Sequence, residues 1–266
     1  MVMIRARPLQ SNLRFLIINL AVADVLVGAL TIPLYIYHIA VDFSFGPEFA
    51  IFRMLDVFTA FASIFSLVAV AAERFVAIFW PLKYEYAKPK TYSFVIAVVW
   101  LLAACLGLLM VLRTLGKISM NVFYVPMMVS FFVSLGVLPL FYSLIWIVAR
   151  RNQADESRGF EKRLALTLLV VTCFFVAMWL PFQVLNILHY YNIKCGAHCN
   201  FHLITLSKLL HYGNSFINPI IYAFRVPGFK RAALTSFRCS SQGSRASDNG
   251  IPMETIGGSI NPTVRI

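Results

Sequence analysis

Six stretches of this chain, roughly residues 12–40, 49–79, 91–112, 119–149, 164–191 and 201–224, are apolar over lengths a soluble domain rarely needs. Crossing a ~30 Å hydrocarbon core takes about 20 residues of helix, and each stretch reaches that length. Lipid offers an open backbone nothing to hydrogen-bond, so these segments have to be helices. The expected fold is an all-α membrane protein, a transmembrane helix bundle with six spans. Composition agrees: 60% of the residues are hydrophobic and 13% charged, whereas soluble domains are roughly 45–50% apolar.

The formal charge of +12 would suggest nucleic acid if it lay on one soluble face. Its distribution excludes that. Counting connections alternately from an inner N-terminus puts eighteen of the 23 Lys and Arg inside and leaves Arg53, Arg113, Lys117, Lys194 and Lys208 outside. This positive-inside bias predicts a multi-pass protein with both termini cytoplasmic. Residues 1–10 are basic and lack an apolar core before a cleavage site, so the first span is expected to be its own insertion signal. Residues 1–239 read as the bundle. The tail, residues 240–266, is rich in Ser, Gly and Asn and reads as disordered.

Ionisable groups inside a span usually face a bundle interior or a wet cavity. Asp56 lies about ten residues below the outer end of its span, roughly 15 Å deep at 1.5 Å per residue. Tyr212, Trp179 and Ser130 lie at about the same depth in other spans, so the four would floor a pocket open to the outside. A carboxylate among aromatic faces suits a cationic ligand; a hydrogen bond to a neighbouring helix is the plainer alternative. Deeper, Asp24 shares a level with Ser63, Asn214, Ser215 and Asn218. Hydroxyl and amide oxygens around a carboxylate suit a hard monovalent cation such as sodium, and equally a structural hydrogen-bond network.

At the inner boundary, Glu73, Arg74 and Phe75 end one span, and Glu161 opens another beside Lys162 and Arg163. Arg74 can pair with Glu73 in its own helix and with Glu161 across a gap, as a two-helix latch or as ordinary interface charge. Pro33, Pro139, Pro181 and Pro219 lie inside spans, where each frees a backbone carbonyl and marks a bend.

These motifs, in this order, resemble the class A, rhodopsin-like G-protein-coupled receptors. The resemblance rests on NLAVAD (residues 19–24), ERF (73–75) followed by PLKY (81–84), Trp100, MWLP (178–181) and NPIIY (218–222). A short amphipathic stretch with Phe229, Lys230, Arg231 and Phe237 follows. The family has seven helices; the six spans resemble its second to seventh, and the chain is read as truncated ahead of them. The resemblance implies signalling to a heterotrimeric G protein from the plasma membrane, with arrestin and receptor kinases as further partners. It implies an activation switch made of Glu73, Arg74, Glu161, Tyr142, Pro219 and Tyr222.

Within the family the chain looks most similar to the biogenic-amine receptors. DVFTAFASI (56–64) resembles their third helix, whose Asp binds the ligand ammonium, and Tyr212 matches the tyrosine that hydrogen-bonds it. WLPFQVLNI (179–187) implies Phe182 and Asn186 in the pocket, and Ser130 matches a ligand-facing hydroxyl. At the deeper level Asp24, Ser63, Asn214 and Asn218 are the candidate sodium or polar network. The departures are specific: Phe49 stands where the family has a disulfide cysteine, residues 113–121 contain no Cys, and Leu209, Gln183 and Ser134 replace the amine receptors' tryptophan, phenylalanine and proline. A nucleoside, lipid or peptide ligand therefore stays open, as does a non-signalling fragment that modulates full-length partners.

Of the five cysteines, Cys105 and Cys173 lie in spans and read as buried small hydrophobes. Cys195 and Cys199 fall in the last outer loop, where the oxidising side favours a local disulfide; with His198 and His202 the loop also permits a crowded zinc site. Cys239, after the basic amphipathic stretch, is a palmitoylation candidate. No nucleophile–base set or phosphate-cradling loop stands in a suitable context, so neither an enzyme nor any cofactor beyond a sodium ion is expected. A transporter would want repeat symmetry or matched broken helices, and neither is evident.

Overall fold

Each of the six apolar stretches forms a helical rod in the computed structural model. The structure describes residues 11–41, 47–80, 82, 84, 86, 88–151, 158–191 and 201–225, without the side chains of residues 11, 12, 47, 149–151, 158–165, 167, 168, 171, 201 and 219–225. Cys195, Cys199, His198, Cys239 and the tail at residues 240–266 therefore lie outside the described residues, as do the side chains of Glu161, Pro219 and Tyr222. The rods are α1 (Ser11–Leu26) continuing into α2 (Ile32–Val41), then α3 (Pro47–Phe79), α4 (Pro89–Thr114), α5 (Met120–Arg151), α6 (Arg158–Tyr190) and α7 (Phe201–Arg225). Among the described residues, five stretches are long and apolar enough to cross a membrane, from Leu13–Val41 to Thr172–Tyr190. No strand occurs among the described residues.

Local chemistry sets several of the boundaries. Pro89 opens α4 at a position whose missing N–H costs no helical bond, with Lys88 extended ahead of it. Gly116 closes the same helix at φ 68°. Its N–H bonds the Arg113 carbonyl, and the Lys117 N–H reaches back to Leu112 at 2.9 Å, the pairing a left-handed glycine makes after a helix end. Between α1 and α2, residues Val27–Thr31 form a π turn in which the Ile32 N–H bonds Val27 O. Pro33 follows immediately and has no N–H to offer Ala29, which removes an α-helical bond where the ladder loosens.

Helix α3 is the axle of the bundle, packed against α1, α4 and α5. Ala60, Phe61, Ala62, Ile64, Leu67, Val70 and Ala71 are all buried, covering every side of the helix. Small residues let the neighbours come close. On α4, a Cβ at Gly107 would stand 3.2 Å from Phe58 Cβ and 3.4 Å from Met54 O, so a larger residue at this crossing would make α3 give by a few tenths of an ångström. Polar ties fix the register. Trp100 Nε1 donates to Asn19 Oδ1 at 2.7 Å, and Asn19 Nδ2 donates to Ser66 Oγ at 2.8 Å, joining α4, α1 and α3. Thr31 and Thr59 share a hydroxyl bond of 2.9 Å.

The outer surface of the bundle is apolar. Val22, Ile36, Phe94, Leu101, Leu108, Val133, Leu140, Phe174 and Leu206 are exposed, as expected where the solvent is lipid. Cys105 and Cys173 belong to that surface as free, exposed thiols, which corrects the expectation that they are buried. Each sits on the side of its helix that meets no neighbour, where a small apolar group serves as well as in a core.

Candidate ligand site and cytoplasmic lock

Lys208 and Tyr212 lie one helical turn apart on α7 and so project from one face. Both reach Asp56 on α3. Tyr212 Oη donates to Asp56 Oδ1 at 2.7 Å, and Lys208 Nζ donates to Oδ2 at 2.7 Å. The Lys208 and Asp56 side chains are each 13% exposed, while Tyr212 is buried. The Lys208 ammonium also lies over the rings of Phe52 (5.1 Å), Tyr35 (5.2 Å), Phe182 (5.4 Å) and Tyr212 (5.8 Å). Those rings come from α3, α2, α6 and α7. All fall within the distance at which a ring face attracts a cation. Tyr35 and Tyr212 meet edge to face at 5.5 Å, and Tyr35 stacks on Phe52.

Beneath this cage, His211 packs against Trp179 at 4.0 Å and Phe182 at 5.1 Å. Trp179 in turn stacks on Phe131 of α5. Trp179 Nε1 and His211 Nδ1 are buried without a hydrogen bond, two polar points in the floor. On α6, Asn186 donates to Gln183 Oε1 at 3.0 Å. Above the cage, one turn from Asp56 on α3, the Arg53 guanidinium stands over the Phe49 ring.

The structure thus brings Asp56, Tyr212 and Phe182 together, with Trp179 one layer below. Ser130 is not bonded to Asp56; its carbonyl accepts the Ser134 hydroxyl within α5. Sequence reasoning missed Lys208, Phe52, Tyr35 and His211. Counting charges by loop placed Lys208 outside, whereas it turns inward to Asp56. The available signal was its spacing from Tyr212, four residues along one helix face.

Two turns deeper, Ser63 Oγ donates to Asp24 Oδ1 at 2.8 Å and Asn218 Nδ2 to Oδ2 at 3.1 Å. Ser215 also lies within reach of the carboxylate. Among the described residues no cationic side chain pairs with Asp24. Asn214 Oδ1 and Asn218 Oδ1 are buried without hydrogen bonds. A carboxylate, a hydroxyl and amide oxygens are ligand types that a hard cation takes.

At the inner end, Arg74 Nε and Nη2 donate to the two Glu73 carboxylate oxygens at 2.5 and 2.6 Å. Tyr84, from the connection after α3, donates to Glu73 Oε1 and accepts from Arg74 Nη2 at 3.1 Å. Burial, and then the Glu73 carboxylate, push the Tyr84 phenol well above the ordinary tyrosine range, so it remains a donor. Both charged residues are buried. Tyr142 on α5 is buried as well. The grip on Arg74 by Tyr84 is a contact the sequence reading did not foresee.

Residues 1–222 match the family described as 7 transmembrane receptor (rhodopsin family). The histamine H2 receptor of Canis lupus familiaris is 27% identical, over 92% of this chain and 76% of its own length. The adenosine receptor A2a of the same species is 28% identical over 84% of this chain, which spans 63% of that relative. The adenosine receptor A2b of Homo sapiens is 30% identical, over 85% of this chain and 80% of its own length.

Proposed function

This chain belongs to the rhodopsin family of seven-transmembrane receptors, and from that membership we propose that it binds a small, biogenic-amine-like cation from outside at Asp56 and signals to a heterotrimeric G protein inside. One observation carries the ligand reading: the Asp56 carboxylate, held by Tyr212, opens into a shell of aromatic rings that already surrounds an ammonium group. In this reading Asp56 is the ligand's counter-ion and Tyr212 orients it. Tyr35, Phe52 and Phe182 supply the cation–π walls. Asn186 and Gln183 line the α6 side, and Trp179 with His211 transmits ligand contact to the α5–α6 packing.

At the cytoplasmic end, Arg74 is pinned by Glu73 and Tyr84, and Glu161 is its proposed partner across the gap on α6. A ligand favours the arrangement for which it has differential affinity; here that is the one in which Arg74 is released and a groove for the G protein, and then for arrestin and receptor kinases, opens. Tyr142, Pro219 and Tyr222 are assigned to the same switch. Asp24, Ser63, Asn214 and Asn218 would hold a sodium ion, whose charge would offset that of Asp24. Both termini are placed on the cytoplasmic side of the plasma membrane, following the positive-inside bias.

Histamine is the probe suggested by the relatives. Saturation binding to the membrane-reconstituted protein should give Asp56-dependent affinity, lost by about a hundredfold in Asp56→Ala. Equal affinity in both proteins removes Asp56 from the role. A second reading, a nucleoside ligand, is favoured by the two adenosine-receptor relatives and by the amides of Gln183 and Asn186, which can meet a base edge. Adenosine binding that survives Asp56→Ala and fails in Asn186→Ala would select it.

A further inference from the structure

Lys208 is held as a ligand would be held. Its stem starts eight residues into α7, near enough to the outer surface for a lysine to extend its ammonium into water, the usual behaviour of such a side chain. It does the opposite. The ammonium turns inward to Asp56, 13% exposed, among rings from four helices. An ion pair alone would need only the carboxylate. The surrounding faces of Tyr35, Phe52, Phe182 and Tyr212 are the additional feature, and they recognise an alkylammonium whether or not it is attached to the chain.

Resting on the reading of Asp56 as an ammonium acceptor, we infer that Lys208 is a tethered occupant of the ligand site, a built-in competitor that an incoming amine must displace from Asp56 and its aromatic cage. Displacement needs no backbone movement, because rotation about the lysine stem carries the ammonium outward. Attachment gives Lys208 a standing advantage, since a group on a short tether competes at an effective concentration of about millimolar or more. A site filled by its tether for about 90–99% of the time lowers the apparent affinity of every free amine by about 10- to 100-fold.

The occupant also acts as a filter. Once moved out, the Lys208 ammonium shares the mouth with Arg53, one turn above Asp56 on α3. Two cations there repel each other. An amine that carries an acceptor or an acidic group for the displaced lysine is favoured over one that brings a bare positive charge. Lys208 is thus a specificity-determining residue as well as a brake on occupancy.

The test uses the full chain in lipid nanodiscs and n-propylammonium chloride, the detached equivalent of the lysine tip, against sodium chloride at equal ionic strength. In Lys208→Ala, millimolar n-propylammonium should raise the unfolding temperature by several degrees. Wild type should need about 10- to 100-fold more n-propylammonium for the same shift, and the double variant Asp56→Asn/Lys208→Ala should not respond. An equal shift in all three proteins, or none in folded Lys208→Ala, overturns the inference. If Lys208→Ala does not fold, Lys208→Met retains the stem and is read by histamine competition. Affinity about tenfold or more above wild type supports displacement, and equal affinity overturns it. Histamine binding that ignores Asp56→Asn would instead remove the proposed amine function, while a millimolar propylammonium response confined to Lys208→Ala would still establish the tethered occupant.

Discussion

Lys208 Nζ and Asp56 Oδ2 stand 2.7 Å apart, joined across two helices by residues 152 positions distant in the chain. Each charge is the other's partner in a site that water only partly reaches. Removing one leaves the other unpaired, at a cost of about 3–5 kcal/mol for a fully dry pair. The residual exposure reduces this, and Asp56→Asn or Lys208→Met should each lower stability by about 2 kcal/mol. The double variant should recover most of the loss. Thermal unfolding of all four proteins measures the coupling, and strictly additive losses would show that there is none.

Tyr84 links the connection after α3 to the Glu73–Arg74 pair. Tyr84→Phe should lower stability by about 1 kcal/mol and raise basal G-protein activation, read as nucleotide exchange without ligand. The phenol's pKa is raised in the folded protein, so its contribution is complete below the unfolded value of about 10 and is lost as pH rises beyond it. The stability gap between wild type and Tyr84→Phe should therefore narrow only above about pH 10. A gap that narrows on acidification would place the origin elsewhere.

Asp24 has hydroxyl and amide donors from Ser63, Asn218 and Ser215 and no cationic partner among the described residues. Sodium chloride should raise the wild-type unfolding temperature over choline chloride at equal ionic strength, and Asp24→Asn should abolish the difference. An unchanged sodium response in that variant would exclude Asp24 from the ion's site.

Asn19 ties α1 to both α3 and α4 through Ser66 and Trp100. Bonds of this kind between membrane helices average about 0.6 kcal/mol each. Asn19→Ala should cost more, about 1–2 kcal/mol, because it leaves the Trp100 Nε1 donor unsatisfied. Trp100→Phe in the Asn19→Ala background should add little, which thermal unfolding would reveal.

The rods were legible because lipid imposes a length and a polarity that loops do not share. The juxtaposition of Asp56 with Tyr212, and of Asp24 with Ser63 and Asn218, followed from depth, since a fixed rise per residue converts spacing into level. Depth does not say where a flexible stem goes. Lys208 can extend to water or fold inward, and only the aromatic surroundings contributed by α2, α3 and α6 decide between them. Tyr84 was obscured for a related reason, as a connection's path is not periodic. Cys105 and Cys173 show that a uniformly apolar helix does not announce which side meets lipid.

The pairing of α7 with α3 also bears on how the chain is made. Thr205, Ser207, Lys208, His211, Asn214, Ser215 and Asn218 all lie on α7, and a lysine eight residues into a membrane helix still disfavours insertion, though by less than the about 2.5–3.5 kcal/mol of a central one. Asp56 carries a similar handicap on α3, which is synthesised long before it. Each charge taken alone is a poor solute for lipid, and together Asp56 and Lys208 present a neutral pair. Helix α7 would then enter the membrane more readily against protein that has already arrived, and the order of synthesis would be part of what makes its sequence tolerable.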